Sequence, residues 1–390
     1  MSSRRVLYRA EVLLSNNVDA HVQDMLKPLN FFQFILFFPK YTIRDGYITP
    51  NSLIRNIWSA TGAFVFISIC VFRILTMNKI AVYDTFTTML LISKYFDVAL
   101  YCIGFIVNTY VNIAYSNVNV LLYLKLQTIK TFIPRNNEIM KNVKWYSVIL
   151  IIVLFCGTLA MFSFFHLSFS YFNIFDLTTD LAVFSFDLNL VYACSVLNFL
   201  AQSLDELNKE IWRLGNAKVT VCKDGSKPDW NGINLTYINV LDAYNYFKEA
   251  FRLLIFFHTF KTLTHMFIYI QSIIELCKKF YPGDDYDAIT VGAVVGVWFF
   301  RNITLQCLVG VSCQNFYSAT SNTESICAVQ VGSIVSDEHK LFLKAVRRLN
   351  NVVFYKWSMY GMFIVDATLP RRLIELIATY TVVFLQFAFK

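Results

Sequence analysis

The sequence predicts an all-α, polytopic membrane protein with seven transmembrane helices, on three observations. Apolar residues make up 56% of the 390 and charged residues only 15%. A soluble domain carries about 25% charged residues to face water. The apolar residues gather in long runs, with no Pro/Gly/Ser-rich linker dividing the chain. Lys and Arg fall mostly into alternate connections between those runs, the bias that sets membrane topology.

Residues 1–56 form an N-terminal segment. Its start is basic (Arg4, Arg5, Arg9), but Arg9 and Glu11 interrupt any apolar stretch and no small-residue cleavage pattern follows. It does not read as a signal peptide, so insertion is expected to use an internal span. The apolar run Leu29–Pro39 is too short to cross a bilayer and reads as a buried or interfacial helix. Seven runs reach the roughly 20 residues that a span needs: Ile57–Met77, Phe86–Ala114, Trp145–Ser170, Asp180–Ala201, Leu253–Cys277, Ala288–Cys313 and Ile364–Phe389. The first six make a bundle over residues 57–313, residues 314–363 a connecting region, and residues 364–390 the last span.

The connections 1–56, 78–85, 115–144, 171–179, 202–252, 278–287 and 314–363 hold 7, 1, 5, 0, 7, 2 and 5 Lys and Arg residues. This alternation puts the N-terminus in the cytoplasm and, after an odd number of spans, Lys390 outside. The orientation is the reverse of a G-protein-coupled receptor, and no NPxxY or Asp/Glu-Arg-Tyr motif stands at the expected span ends. All seven prolines are expected at span ends or in loops, and no repeated halves are visible, which disfavours a secondary transporter. Leu121–Lys130 and Ser203–Leu214 continue the helical pattern past the bilayer, so spans two, three, four and six are expected to run inward as a stalk for subunit assembly. The sequons Asn234-Leu-Thr and Asn302-Ile-Thr fall in a cytoplasmic loop and inside a span, and both should be unmodified. The cysteines (among them Cys70, Cys102, Cys156, Cys194, Cys307 and Cys313) sit in apolar runs without CxxC spacing and read as small fillers. The +8 net charge is a topology signal and implies no nucleic acid.

The last span divides by helical spacing. One stripe runs Arg372, Leu376, Thr379, Val383, Gln386, Lys390; the neighbouring one is Tyr380, Phe384, Phe387. A Gln amide facing lipid would lack partners at a cost of a few kcal/mol, so Gln386 should face protein or water. In a symmetric oligomer such a stripe would line a conduit; alternatively Gln386 hydrogen-bonds a neighbouring helix. Spacing alone leaves both open.

Thr379-Tyr380, five hydrophobic residues and then Gln386-Phe387, at the end of a last span, resembles the signature of insect gustatory receptors. Tyr360-Gly-Met-Phe363-Ile-Val-Asp366, followed by Leu373-Ile-Glu, resembles the approach to that helix in the same family, relatives of the insect odorant receptors. The resemblance is specific over the last 35 residues or so. It implies a ligand-gated, non-selective cation channel in the plasma membrane of a gustatory neuron, with the subunits as a homotetramer or a heterotetramer. Residues 314–363 would be a cytoplasmic anchor, and the last helix would line the pore with Thr379, Tyr380, Val383, Gln386 and Phe387. Arg371 and Arg372 make its inner end unusually basic.

A small-molecule tastant would sit within the bundle. Intramembrane ionisable groups face the interior and pair, so Arg301 is expected to meet Asp97 or Asp187 at a pocket floor. His166, Tyr192, His265, Tyr269 and Trp298 add aromatic and hydrogen-bonding surface. Lys94, Lys261 and His258 also lie on spans, with no direction assigned. The histidines lack metal spacing, no cofactor is implied, and no GxSxG, HExxH or P-loop supports an enzyme. By elimination the ligand is a bitter or other plant compound; the alternative is an odorant-receptor-like or non-conducting partner subunit.

Overall fold

A computed structural model describes residues 16–77, 85–133, 136–169, 174–216, 229–279, 285–330 and 337–388; Arg4, Arg5, Arg9, Glu11 and Lys390 lie outside the described residues. The chain is an all-α membrane protein. Among the described residues its helices are α1 (Ala20–Ile35), α2 (Leu53–Met77), α3 (Thr85–Ala114), α4 (Ser116–Phe132), α5 (Asn136–Phe169), α6 (Ile174–Asn216), α7 (Trp230–Lys279), α8 (Asp285–Gln330), α9 (Asp337–Val352) and α10 (Leu369–Ala388). Among the described residues six of them (α2, α3, α5, α6, α7 and α8) are long and apolar enough to cross a membrane. The seventh expected span, α10, has 20 residues but carries Arg371, Arg372 and Glu375 in its first two turns. Arg371 and Glu375 pair along the helix at 2.7 Å.

Helix α6 is the centre of the bundle: 89% of its most apolar window is buried, against 22% for α5. The single apolar stripe of an outer helix does not suffice there, and Leu188, Val191, Val196, Leu197, Leu200 and Leu204 are all fully enclosed. Beyond the bilayer length the helices continue at the end that carries the basic connections, here the basic end. Spans three, four and six extend there, as α5, α6 and α8. Span two does not: it stops at Ala114, and Tyr115 (φ −104°, ψ 15°) breaks the chain before α4. Span five extends instead, starting at Trp230, because Tyr237, Val240, Leu241, Tyr244 and Phe247 make a helical stripe that is buried throughout.

Helix α1 is capped by Asp19, whose carboxylate accepts from the His21 and Val22 amides and from Lys130 Nζ at 2.6 Å. It buries Val22, Met25, Leu26 and Leu29 and leaves Phe31, Phe34 and Ile35 exposed. Pro28 lies inside it, so the placement of prolines at ends and loops fails in this non-spanning helix.

Among the described residues two small hairpins interrupt the helices. In β1 (Thr42–Arg44) and β2 (Tyr47–Thr49) the turn is Asp45-Gly46; in β3 (Ser358–Met359) and β4 (Phe363–Ile364) it is Tyr360-Gly361. All four of these residues have positive φ, a turn geometry that suits glycine; Asp45-Gly46 is the whole connection of the first hairpin, while three residues, Tyr360 to Met362, join β3 to β4. The second hairpin moves the start of the last helix from the expected Ile364 to Leu369. There the Thr368 amide and hydroxyl both donate to Asp366 Oδ1, at 3.0 and 2.6 Å.

Candidate functional site

Four helices bring intramembrane polar groups into a column of successive levels, the first two about two turns apart along α7, at His265 and His258. At the outer level Tyr269 Oη donates to Asp97 Oδ2 at 2.9 Å, and His265 Nε2 lies 3.2 Å from Asp97 Oδ1. Trp298 packs against both His265, tilted, and Tyr269, edge-on, with ring centroids 4.9 and 5.1 Å away, and Tyr101 meets His265 edge-on. Neither His265 ring nitrogen, nor Asp97 Oδ1, has an aligned hydrogen-bond partner among the described residues.

At the next level Arg301 Nη2 binds Asp187 Oδ2, and His258 Nε2 lies 3.3 Å from Asp187 Oδ1. Gln306 Nε2 is 2.9 Å from His258 Nδ1, while Thr259 donates to Gln306 Oε1. An amide nitrogen can only donate, so His258 Nδ1 accepts and its Nε2–H points to Asp187. Every group at this level except Arg301 Nε is satisfied. A third level follows, where Asn189 Nδ2 donates to Asn108 Oδ1 at 3.1 Å and Gln33 of α1 reaches Asn189.

Of the two pairings that sequence left open, Arg301 thus takes Asp187, and Asp97 takes Tyr269. Asp97, His265, Tyr269 and Trp298 come together. Tyr192 is apart from them: five residues beyond Asp187 on α6, about 7.5 Å at 1.5 Å per residue, it stacks on Phe251 and meets Tyr41 Oη at 3.3 Å. His166 is on α5, with its side chain outside those described. The sequence reading missed Gln306, Asn108 and Asn189, and gave His258 and Lys261 no direction; His258 and Lys261 are buried. Spacing held a signal for one of them, since His258 lies one heptad from His265 on one face of α7.

Helix α10 has two unlike faces. Leu369, Leu373 and Ile377 are buried, and Tyr380 and Phe384 approach Phe267 of α7. On the other side Thr379, Val383 and Gln386 are exposed. Thr379 Oγ1 donates to the Glu375 carbonyl of its own helix at 2.8 Å. Tyr380 sits on the flank between the faces, and the Phe387 side chain lies outside those described.

The elbow that leads into α10 is tightly held. Tyr317 Oη donates to the Val365 carbonyl at 2.9 Å and accepts the Trp357 amide at 3.0 Å. A Cβ at Gly310 would lie 2.5 Å from the Asp366 carbonyl oxygen. That glycine lets α8 touch the elbow's backbone.

No protein-family model and no curated protein matches the chain. Solved structures do. The insect olfactory receptor OR5 from Machilis hrabei superposes with a TM-score of 0.67 at 12% identity, over 94% of this chain and 99% of that one. The structure of OR5 in complex with eugenol gives 0.63 at 12% identity over the same shares. The chain therefore has the fold of this insect olfactory receptor over nearly its whole length.

Proposed function

We propose that the chain is a subunit of a ligand-gated, non-selective cation channel of the insect chemoreceptor type. Its N-terminus is cytoplasmic, and four copies place α10 around a central pore. The observation that carries this is the divided face of α10: the aromatic side leans on Phe267 of its own bundle, while Thr379, Val383 and Gln386 are left uncovered. A Gln side chain at membrane depth needs a polar partner or water, and a ring of copies around a conduit supplies it. The similarity in fold to a receptor solved with eugenol supports a small organic ligand here too. The outer level of the column suits one, combining aromatic rings with polar atoms on His265 and Asp97 that have no aligned hydrogen bond among the described residues.

Within that type we assign the chain to taste, with bitter or other plant compounds as ligands, on its Thr379-Tyr380…Gln386-Phe387 ending. The likeness to OR5 favours a second reading, an odorant-receptor-like subunit or a non-conducting partner. Cells expressing the chain alone, screened across sugars, alkaloids and volatile odorants, test both. The expected result is cation current evoked by an alkaloid-type compound, with ion selectivity or block altered by Gln386→Ala. Current evoked only by volatiles would move the assignment to smell. Silence across the panel, with surface expression intact, would favour the partner subunit.

A further inference from the structure

The cleft between α1, the first hairpin and the start of α2 has a volume of about 280 Å³. Among the described residues lining it are Lys27, Lys40 and Arg55, with Asn30 and Tyr41, and no Asp or Glu. Arg55 lies over the Phe34 ring at 4.8 Å. Lys40 is only 2% exposed, its ammonium 4.8 Å from the Phe251 ring centroid and 5.5 Å from that of Tyr192. Burial, with no opposing carboxylate, pushes that ammonium down to about 7: this is a cation short of an anion. Neither Lys27 nor Arg55 has a carboxylate partner among the described residues. Elsewhere around α1, by contrast, cations are matched: Lys130 of α4 pairs with Asp19 and Lys144 of α5 with Asp24.

The surroundings say what kind of anion. Phe31, Phe34, Ile35, Leu53 and Ile54 are all more than 40% exposed, so the cleft opens among apolar side chains at the inner end of the first span. A basic pocket beside an apolar, lipid-facing surface matches a molecule with a phosphate at one end and acyl chains at the other. A free phosphate would share the first feature and make no use of the second.

We propose that this cleft binds the headgroup phosphate of an anionic phospholipid, with the acyl chains lying along Phe31, Ile54 and Leu53. Lys27 and Arg55 contact the phosphate, and the buried Lys40 charge adds to the field from behind. The site belongs to the leaflet at the basic end; only its description as the cytoplasmic leaflet rests on the orientation given above.

The test is lipid retention, which needs no gating and so stands apart from the channel reading. The full chain is purified in micelles doped with equal phosphatidylserine and phosphatidylcholine, washed, and its bound lipid extracted and quantified. Phosphatidylserine should be retained preferentially, and the Lys27→Ala/Arg55→Ala variant should lose that preference roughly tenfold or more. Both positions are at least partly exposed, and an unchanged melting temperature confirms the fold. Lys340→Ala/Lys344→Ala, which removes the same charge from the exposed side of α9, should leave retention unchanged. Equal loss in both variants would reduce the effect to net charge and overturn the site. Retention without preference, or unaffected by Lys27→Ala/Arg55→Ala, would overturn it as well. Displacement of the lipid by millimolar inorganic phosphate would overturn the lipid assignment in favour of a soluble phosphate.

Discussion

Polar side chains at membrane depth are treated in two ways in this chain. In the column between α3, α6, α7 and α8 the groups at the Asp187 level find nearly all their partners within the chain. Asp187 is met by Arg301 and His258, and His258 in turn by Gln306. On α10 the opposite holds, since Thr379, Val383 and Gln386 form a face left exposed among the described residues. The first arrangement specifies how one copy folds. The second is complete only with something from outside the chain, and the Gln amide makes water or another copy a better match than lipid. The contrast predicts that mutations in the column act on folding and mutations on the α10 face act on assembly and conduction.

The column offers the largest effect. Asp187→Leu or Arg301→Leu alone strands a buried charge, at a cost of about 3–5 kcal/mol. Either single variant should lose most of its monodisperse protein on size-exclusion chromatography. The double variant, with neither charge, should recover most of it. A double variant no better than the singles would break the assignment of Asp187 and Arg301 as partners.

The elbow comes next. Gly310→Ala puts a Cβ 2.5 Å from the Asp366 carbonyl oxygen, a backbone atom that cannot swing aside, so about 1–3 kcal/mol of strain is expected. Gly157, on the poorly buried α5, has no atom within 4 Å of its added Cβ. Gly157→Ala should be neutral or stabilising by up to about 1 kcal/mol. Melting temperatures of the two variants side by side check this. An equal response would mean that the elbow is looser than its contacts imply.

The α10 face should respond least in stability and most in function. Gln386→Leu is expected to change stability by no more than about 0.5 kcal/mol, while ligand-evoked conductance or ion selectivity shifts in recordings. A melting temperature lowered as far as by Gly310→Ala would put Gln386 inside the protomer and remove the basis for the pore reading.

These contrasts were unevenly legible in the sequence. The spans could be read because length and hydropathy are properties of a segment by itself. The Arg301 partner could be narrowed to two carboxylates and no further, because choosing between Asp97 and Asp187 requires the relative rotation of three helices. His258 and Gln306 carry no sign of facing each other for the same reason. Ile364 and Val365 read as the start of a span, yet they are the end of a strand and its exit. The clue was Tyr360-Gly361, which takes φ of 50° and 76°, but Tyr-Gly is a weaker turn signal than Asp45-Gly46. The continuation of α7 was hidden by Asp242, Lys248, Glu249 and Arg252 and by four asparagines between residues 230 and 252, which lower hydropathy without disturbing the apolar stripe beneath.

Away from the column, α9 docks through a group that acid can charge. His339 is 2% exposed, stacked on Trp230 at 3.8 Å between centroids and 3.0 Å from Gln330 Oε1 through Nε2. Burial lowers its pKa below the ordinary histidine value. The folded state therefore holds the ring neutral more firmly than the undocked helix does, and undocking takes up a proton. The docking energy is complete above the unfolded value of about 6.5 and is lost as pH falls below it. Hydrogen exchange across residues 337–352 should accelerate between pH 7.5 and 5.5, after correction for the intrinsic rate, while the Asp187 level of the column stays protected. His339→Phe, which keeps the stack on Trp230 and removes the titration, should flatten that response. A pH response that survives the substitution would assign it to another group and leave α9 outside the contrast between finished and unfinished surfaces.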